Sequence, residues 1–322
     1  MRETEYAYAV AKIRANELSL LSSSQIETVI AAPDYSAAVK LLAEMGFADF
    51  EGENEETVLK EKEQQAFKFI CEIAPDKSLF DFLVVKNDFH NIKAVLKSLV
   101  IDTDYTPYIL EPHLIDPADI YSAATTKDWK LLPPFVSEAV KKGYELITTT
   151  KDGQVLDVYL DKCYLETSIR MAKESKEQFS IGLAQRTALI ADLQIALRGS
   201  EMGKSKEFLK DAMVDCGILD TDRIISLSLS GKKAISDYLK ENGMDSMADA
   251  LLKSNSAFEK AADNFLLDYV KGAKYQSFGI SPLIGYYLAR MTEVKTVRIL
   301  LCCKRTGLTE GEIKERVRNL YV

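Results

Sequence analysis

Residues Leu79 to Leu99 read LFDFLVVKNDFHNIKAVLKSL, and their spacing is that of an amphipathic helix. At ~100° per residue, Phe82, Val85, Phe89, Ile92, Leu96 and Leu99 fall on one face. That face predicts a core in which Phe89, Ile92 and Leu96 are buried. Lys86, His90, Lys93 and Lys97 form a second stripe on its flank, at spacings of four, three and four. Like charges stacked this way cost a few tenths of a kcal/mol per pair in an isolated helix. The stripe has two readings, a solvated polar face or a basic strip that meets an acidic partner.

The helix recurs. Asp88-Phe-His-Asn91-Ile92-Lys93-Ala-Val-Leu96-Lys97 aligns with Leu189-Ile-Ala-Asp192-Leu193-Gln194-Ile-Ala-Leu197-Arg198, and again with Glu293-Val-Lys-Thr296-Val297-Arg298-Ile-Leu-Leu301-Cys302. The offsets are 101 and 104 residues. Upstream, Phe82-Leu83 matches Tyr287-Leu288. A period of about 100 residues is the size of a small domain and exceeds the usual solenoid period of ~20–50. The chain is therefore read as all-α, with three similar modules at 1–112, 113–213 and 214–322, and with helices near 79–99, 181–198 and 281–304. Val297 and Leu301 are expected in the core of the third.

Start and stop signals support helices elsewhere. Asp34 follows Pro33 and precedes Ala37, Ala38, Leu41 and Leu42. Asp116-Pro117 and Ser281-Pro282 each place a capping side chain before a proline suited to a first helical position. Ser256 with Glu259, and Thr309 with Glu312, have capping-box spacing. Gly46, Gly143, Gly199 and Gly272 read as stops. Ile225 to Ser230 alternates apolar residues with serine, but has no evident pairing partner and is read as a short helix. Residues 49–56 and 102–117 read as linkers, the acidic run from Glu51 to Glu56 as a solvated loop without calcium spacing.

Composition narrows function. The 322 residues carry 41 basic and 49 acidic side chains, a net charge of −8, which argues against a general nucleic-acid binder. Five cysteines, with no C-x-x-C and only two histidines, cannot assemble a zinc spacing, and read as buried free thiols in a reducing compartment. No apolar signal region follows the charged start, and no stretch reaches the ~18–20 apolar residues of a membrane span. Gly203-Lys204-Ser205 resembles the end of a phosphate loop. The preceding Gly199 leaves three residues between the glycines where that loop needs four, and no strand leads into it. No G-x-G-x-x-G, H-E-x-x-H or G-x-S-x-G occurs. No catalytic residue and no cofactor is expected.

The segment Val85-Lys-Asn-Asp-Phe-His-Asn-Ile-Lys-Ala-Val-Leu-Lys97 resembles the signature region of the C subunits of bacterial and archaeal V-type (A-type) ATPases, whose eukaryotic counterpart is the V-ATPase d subunit. The C-terminal region from Glu293 to Tyr321 is similar too, with Val297-Arg298, then Thr306-Gly307-Leu308, then a final helix from Glu310. The middle repeat departs from the pattern: Asp192 and Gln194 stand where the family usually carries Asn and a basic residue.

The resemblance implies a funnel-shaped protein of three helical modules, set between a central stalk and a membrane rotor ring. Such a protein hydrolyses nothing; it transmits torque between ATP turnover and movement of H⁺ or Na⁺. Its partners would be the central-stalk proteins and the ring, with no nucleic acid and no self-association, on the cytoplasmic face of the membrane. On the aligned helices His90, Lys93, Lys97, Arg198, Lys295 and Arg298 become candidate partner contacts. An unrelated helical-repeat adaptor that binds a protein partner is the alternative, and a short consensus repeat, which would favour it, is not found.

Overall fold

The computed structural model describes residues 3–50 and 54–322. Among them every regular element is a helix. In chain order the α-helices are α1 (Ala7–Glu17), α2 (Ser23–Ile30), α3 (Tyr35–Glu44), α4 (Glu55–Ile73), α5 (Asp81–Ile101), α6 (Pro117–Thr126), α7 (Pro134–Thr150) and α8 (Gly153–Glu174). Then follow α9 (Gln178–Glu201), α10 (Lys206–Ala212), α11 (Thr221–Ser228), α12 (Lys232–Glu241), α13 (Asp245–Lys253), α14 (Asn255–Lys271), α15 (Ser281–Arg305) and α16 (Glu310–Arg316). The three repeat helices expected near 79–99, 181–198 and 281–304 are α5, α9 and α15. The alternating stretch at 225–230 enters α11, with Ile224, Ile225 and Ser228 inward.

By contacts the chain divides into two compact units. One combines Met1–Lys77 with Ser236–Val322, and the other is Ser78–Ile235. This division follows packing, whereas the modules 1–112, 113–213 and 214–322 follow the sequence repeat.

The continuous unit is built on α5. Val85, Phe89, Ile92 and Leu96 are at most 1% exposed and pack with Ile120, Val136, Val140, Leu156 and Leu160. Burial of each such side chain stabilises by ~1.5–3 kcal/mol. Gly143 lies inside α7 and ends nothing. A Cβ there would stand 3.1 Å from Leu96 Cδ1 and 3.2 Å from Leu156 Cδ1, so the glycine permits close helix packing. Gly199, also read as a stop, is likewise helical: its Cβ would meet Leu209 Cδ2 at 2.6 Å. The chain turns at Gly203 instead, with φ +62°.

The other unit joins both ends of the chain. Val294, Val297, Leu300 and Leu301 of α15 share a core with Leu21, Ile26, Val29, Leu42 and Leu59. Glu293 is 2% exposed; its Oε1 accepts from the Leu21 amide, and its Oε2 accepts from Arg290 Nη1 at 2.6 Å. Lys304 Nζ donates to the Ile30 and Ala32 carbonyls and so caps the open end of α2.

Local signals were mostly obeyed. Asp34 and Asp116 cap α3 and α6, and Thr309 with Glu312 forms a reciprocal capping box on α16. Gly46 follows α3 at φ +73°, and Gly272 ends α14. Two readings are corrected. Ser254, not Ser256, caps α14 and accepts from the Ala257 amide. Ser281 is already helical, and Ile280 occupies the cap position before it. The linker read at 49–56 contains residues 51–53, which lie outside those described; Asn54, beyond them, caps α4. Of the cysteines, Cys216 and Cys303 are buried, Cys71 and Cys163 partly so, and Cys302 is exposed rather than buried.

Candidate functional site

The stretch after α5, read as a linker, is held down by α5 itself. The Asn91 side chain accepts from the Leu110 amide at 2.8 Å and donates to the Leu110 carbonyl at 3.0 Å. Asp88 Oδ1 accepts from the amides of Leu114 and Ile115 at 2.8 and 2.9 Å. Asn87 donates to the Pro112 carbonyl, and His90 Nε2 lies 3.1 Å from the Tyr108 carbonyl. On α9, Asp192 Oδ1 accepts from the Val214 amide at 3.1 Å. The aligned position Asn91, Asp192 and Thr296 is therefore polar and fully buried in each repeat. In the first two it anchors backbone about twenty residues downstream. The sequence showed the polar position but not this role.

The candidate cations divide by unit. In the continuous unit Lys93 pairs with Asp161 at 2.5 Å and Lys97 with Asp157 at 2.6 Å, both carboxylates on α8. In the other unit Lys295 pairs with Asp263 of α14 at 2.6 Å. Arg298 pairs with Glu56 and Glu63 of α4, both at 3.0 Å. Desolvation of the Arg298 guanidinium opposes its charge, but its two carboxylate partners outweigh that and raise its pKa above the usual value. Desolvation lowers the His90 pKa, and Lys93, Lys86 and Lys97 add to this against the Tyr108 carbonyl. The ordinary imidazole value is already ~6.5, so His90 is uncharged at neutral pH.

Arg198 differs from the other four cations. It is exposed on α9 and makes no ion pair among the described residues. It lines a groove of about 210 Å³ together with apolar side chains of α8, α9 and α10. The basic stripe of the sequence is thus largely neutralised by carboxylates of neighbouring helices, and of the six candidates Arg198 is the cation left with free charge. Among the described residues no three His, Cys, Asp or Glu side chains gather where they could hold a metal ion. Among the same residues no helix is long and apolar enough to cross a membrane.

The family model for the ATP synthase (C/AC39) subunit matches residues 9–316, and the chain belongs to that family. It is 20% identical to the C subunit of a V-type sodium ATPase of Enterococcus hirae, over 98% of this chain and 99% of that protein. It is 26% identical to the C subunit of an A-type ATP synthase of Methanobrevibacter smithii, over 77% of this chain and 71% of that protein. With the corresponding A-type ATP synthase protein of Methanocaldococcus jannaschii it shares 24% identity, over 98% of this chain and 86% of that protein.

Proposed function

We propose that this chain is the non-catalytic central-stalk component of a rotary V-type or A-type ATPase, the counterpart of the eukaryotic d subunit. It links the stalk to the membrane rotor ring and passes torque between ATP turnover and H⁺ or Na⁺ movement. It lies peripherally on the cytoplasmic face, held by its complex and not by self-association, and binds no nucleic acid. The observation that carries this reading is the family match over almost the whole chain. An all-helical fold among the described residues suits a transmission part.

We further infer a three-module, funnel-shaped plan. The helix order supports it: α5 (21 residues) and α8 (22) enclose two shorter helices, and α9 (24) and α14 (17) enclose four shorter ones. The third instance begins with α15 and is completed by α2, α3 and α4, whose apolar faces share the core of α15. Each module holds one of the repeat helices α5, α9 and α15, and the proposed bounds stay 1–112, 113–213 and 214–322, with terminal helices shared between modules. The partner contacts remain His90, Lys93, Lys97, Arg198, Lys295 and Arg298. Arg198 ranks first, because exposed pairs such as Lys97 with Asp157 are worth only ~0–1 kcal/mol and hold their cations in place until a partner competes.

The test is co-purification. The tagged full chain, expressed with the other components of the complex, should bring down the central stalk and the detergent-solubilised ring. Recovery of the assembled complex without this chain, or of the chain without either partner, would refute the assignment.

A further inference from the structure

We propose that the groove walled by Val158, Ile195, Met202 and Phe208, with Arg198 and Lys204 lining it, receives one helix of a partner protein through an acidic side chain and an apolar one a turn away. This rests on the rotary-ATPase reading, since the partner is taken to be another component of that complex.

Size limits the occupant. The groove holds about 210 Å³, whereas small-molecule and cofactor sites run to ~300–1,000 Å³. It is too small for a nucleotide and suits the one or two anchoring side chains that dominate protein interfaces.

Charge decides its chemistry. Arg198 is exposed and has no carboxylate partner among the described residues, and the Lys204 ammonium stands 4.8 Å from the centre of the Phe208 ring with none either. Asp161 is the one acidic residue of the described lining, and its Oδ1 already accepts from Lys93. Two cations without carboxylate partners therefore face a groove whose one acidic lining residue is already paired with Lys93. A guanidinium in that position matches a carboxylate in bidentate geometry.

The walls account for the second contact. Val158, Ile195 and Phe208 are half-buried, and Met202 is 64% exposed, an unbranched side chain that adapts to what it covers. A carboxylate and an apolar anchor three or four residues apart lie on one face of a helix and can enter such a groove together. The groove is also preformed. Leu209 of α10 packs so closely on Gly199 of α9 that no Cβ fits between them, which limits the ordering cost of binding. A phosphate would engage Lys204 of the Gly203-Lys204-Ser205 turn but would leave the apolar walls uncovered. α10 spans only seven residues and offers no anion site of its own.

The experiment uses the full chain and an alanine-based helical peptide bearing Glu and Leu four positions apart. Fluorescence anisotropy of the labelled peptide reads affinity, and the ¹³C-methyl signal of Met202 reads location. The peptide should bind and shift that signal. Arg198→Glu with Lys204→Glu should weaken binding about tenfold or more, ~1.4 kcal/mol per decade, with an unchanged helical melt. Met202→Lys provides a second loss of binding should the double variant fold poorly. A peptide with Lys in place of Glu should not bind, and inorganic phosphate should leave the Met202 signal unmoved.

Equal binding of the Lys peptide, no binding of the Glu-Leu peptide, or the same shift from phosphate alone would each overturn the proposal. If the groove is silent while the unaltered chain still co-purifies with stalk and ring, only the groove assignment falls. Failure of that co-purification strikes the rotary reading itself.

Discussion

Asp192 is fully buried on α9, and its carboxylate has one partner, the Val214 amide on Oδ1; Oδ2 has none among the described residues. Desolvation pushes its pKa up to about 7, against the pull of the Val214 amide and Lys162. Asp88, pinned by two amides and likewise left with a bare Oδ2, is pushed by desolvation to about 6. An acid whose folded pKa is raised binds a proton in the folded state that the unfolded chain has already released. Stability from these groups therefore falls as pH climbs from about 4 to about 7, and the penalty is complete above that. Asp192→Asn keeps the acceptor for Val214 and removes the charge. It should stabilise the protein by ~1–4 kcal/mol at pH 8, with the gain shrinking as pH falls through about 7 and vanishing only below about pH 4. Denaturant melts of both proteins across that range would measure it. A gain independent of pH would show that Asp192 does not titrate as its burial demands.

At the scale of the element, α5 does more than fill a core. Its apolar face was legible in the 79–99 stretch because helical period is local, and Phe89, Ile92 and Leu96 are buried as that period requires. Its polar residues are used as well: Asn91 and Asp88 hold the segment that leads to α6. Asn91→Ala should leave both backbone groups of Leu110 without partners, at ~1–3 kcal/mol for each one that stays buried. Hydrogen exchange of the Leu110 amide should quicken at least tenfold while the central amides of α5 keep their protection. Equal loosening along α5 would mean that the segment and the helix open as one unit. Capping at Asp34, Asp116 and Thr309 could be read from sequence because a cap needs only its next three residues. Gly143 and Gly199 could not. A glycine kept for a tight helix contact and a glycine kept for a turn look the same until Leu96, Leu156 and Leu209 are in place.

For the whole molecule, the two units differ in how they can be cut. The unit Ser78–Ile235 is one continuous stretch that contains the core around α5, α7 and α8. Excised, fragment 78–235 should be helical and melt cooperatively, as followed by circular dichroism. Fragment 1–77 lacks Val294, Val297, Leu300 and Leu301, which supply one side of its core, and should stay largely unfolded until residues 236–322 are supplied. A cooperative melt of 1–77 alone would contradict the closure of that unit by both chain ends. The domain-sized repeat was visible in sequence, yet joining α2, α3 and α4 with α15 was not, since it pairs residues more than 200 positions apart.

What the sequence determined by itself is what depends on near neighbours and on family pattern: the all-helical class, the inner faces of α5 and α15, most caps, and membership of the C/AC39 family. Tertiary structure decided the electrostatics. Lys93 and Lys97 meet Asp161 and Asp157 across 68 and 60 residues, and Arg298 meets Glu56 across 242. A charge stripe read along one helix cannot show which carboxylates a neighbouring helix will bring to it. Coulomb energy depends on separation in space, and only folding sets that separation. For the same reason Arg198, one basic residue among many in the sequence, comes to line a largely apolar groove without a carboxylate partner among the described residues only once α8, α9 and α10 are packed.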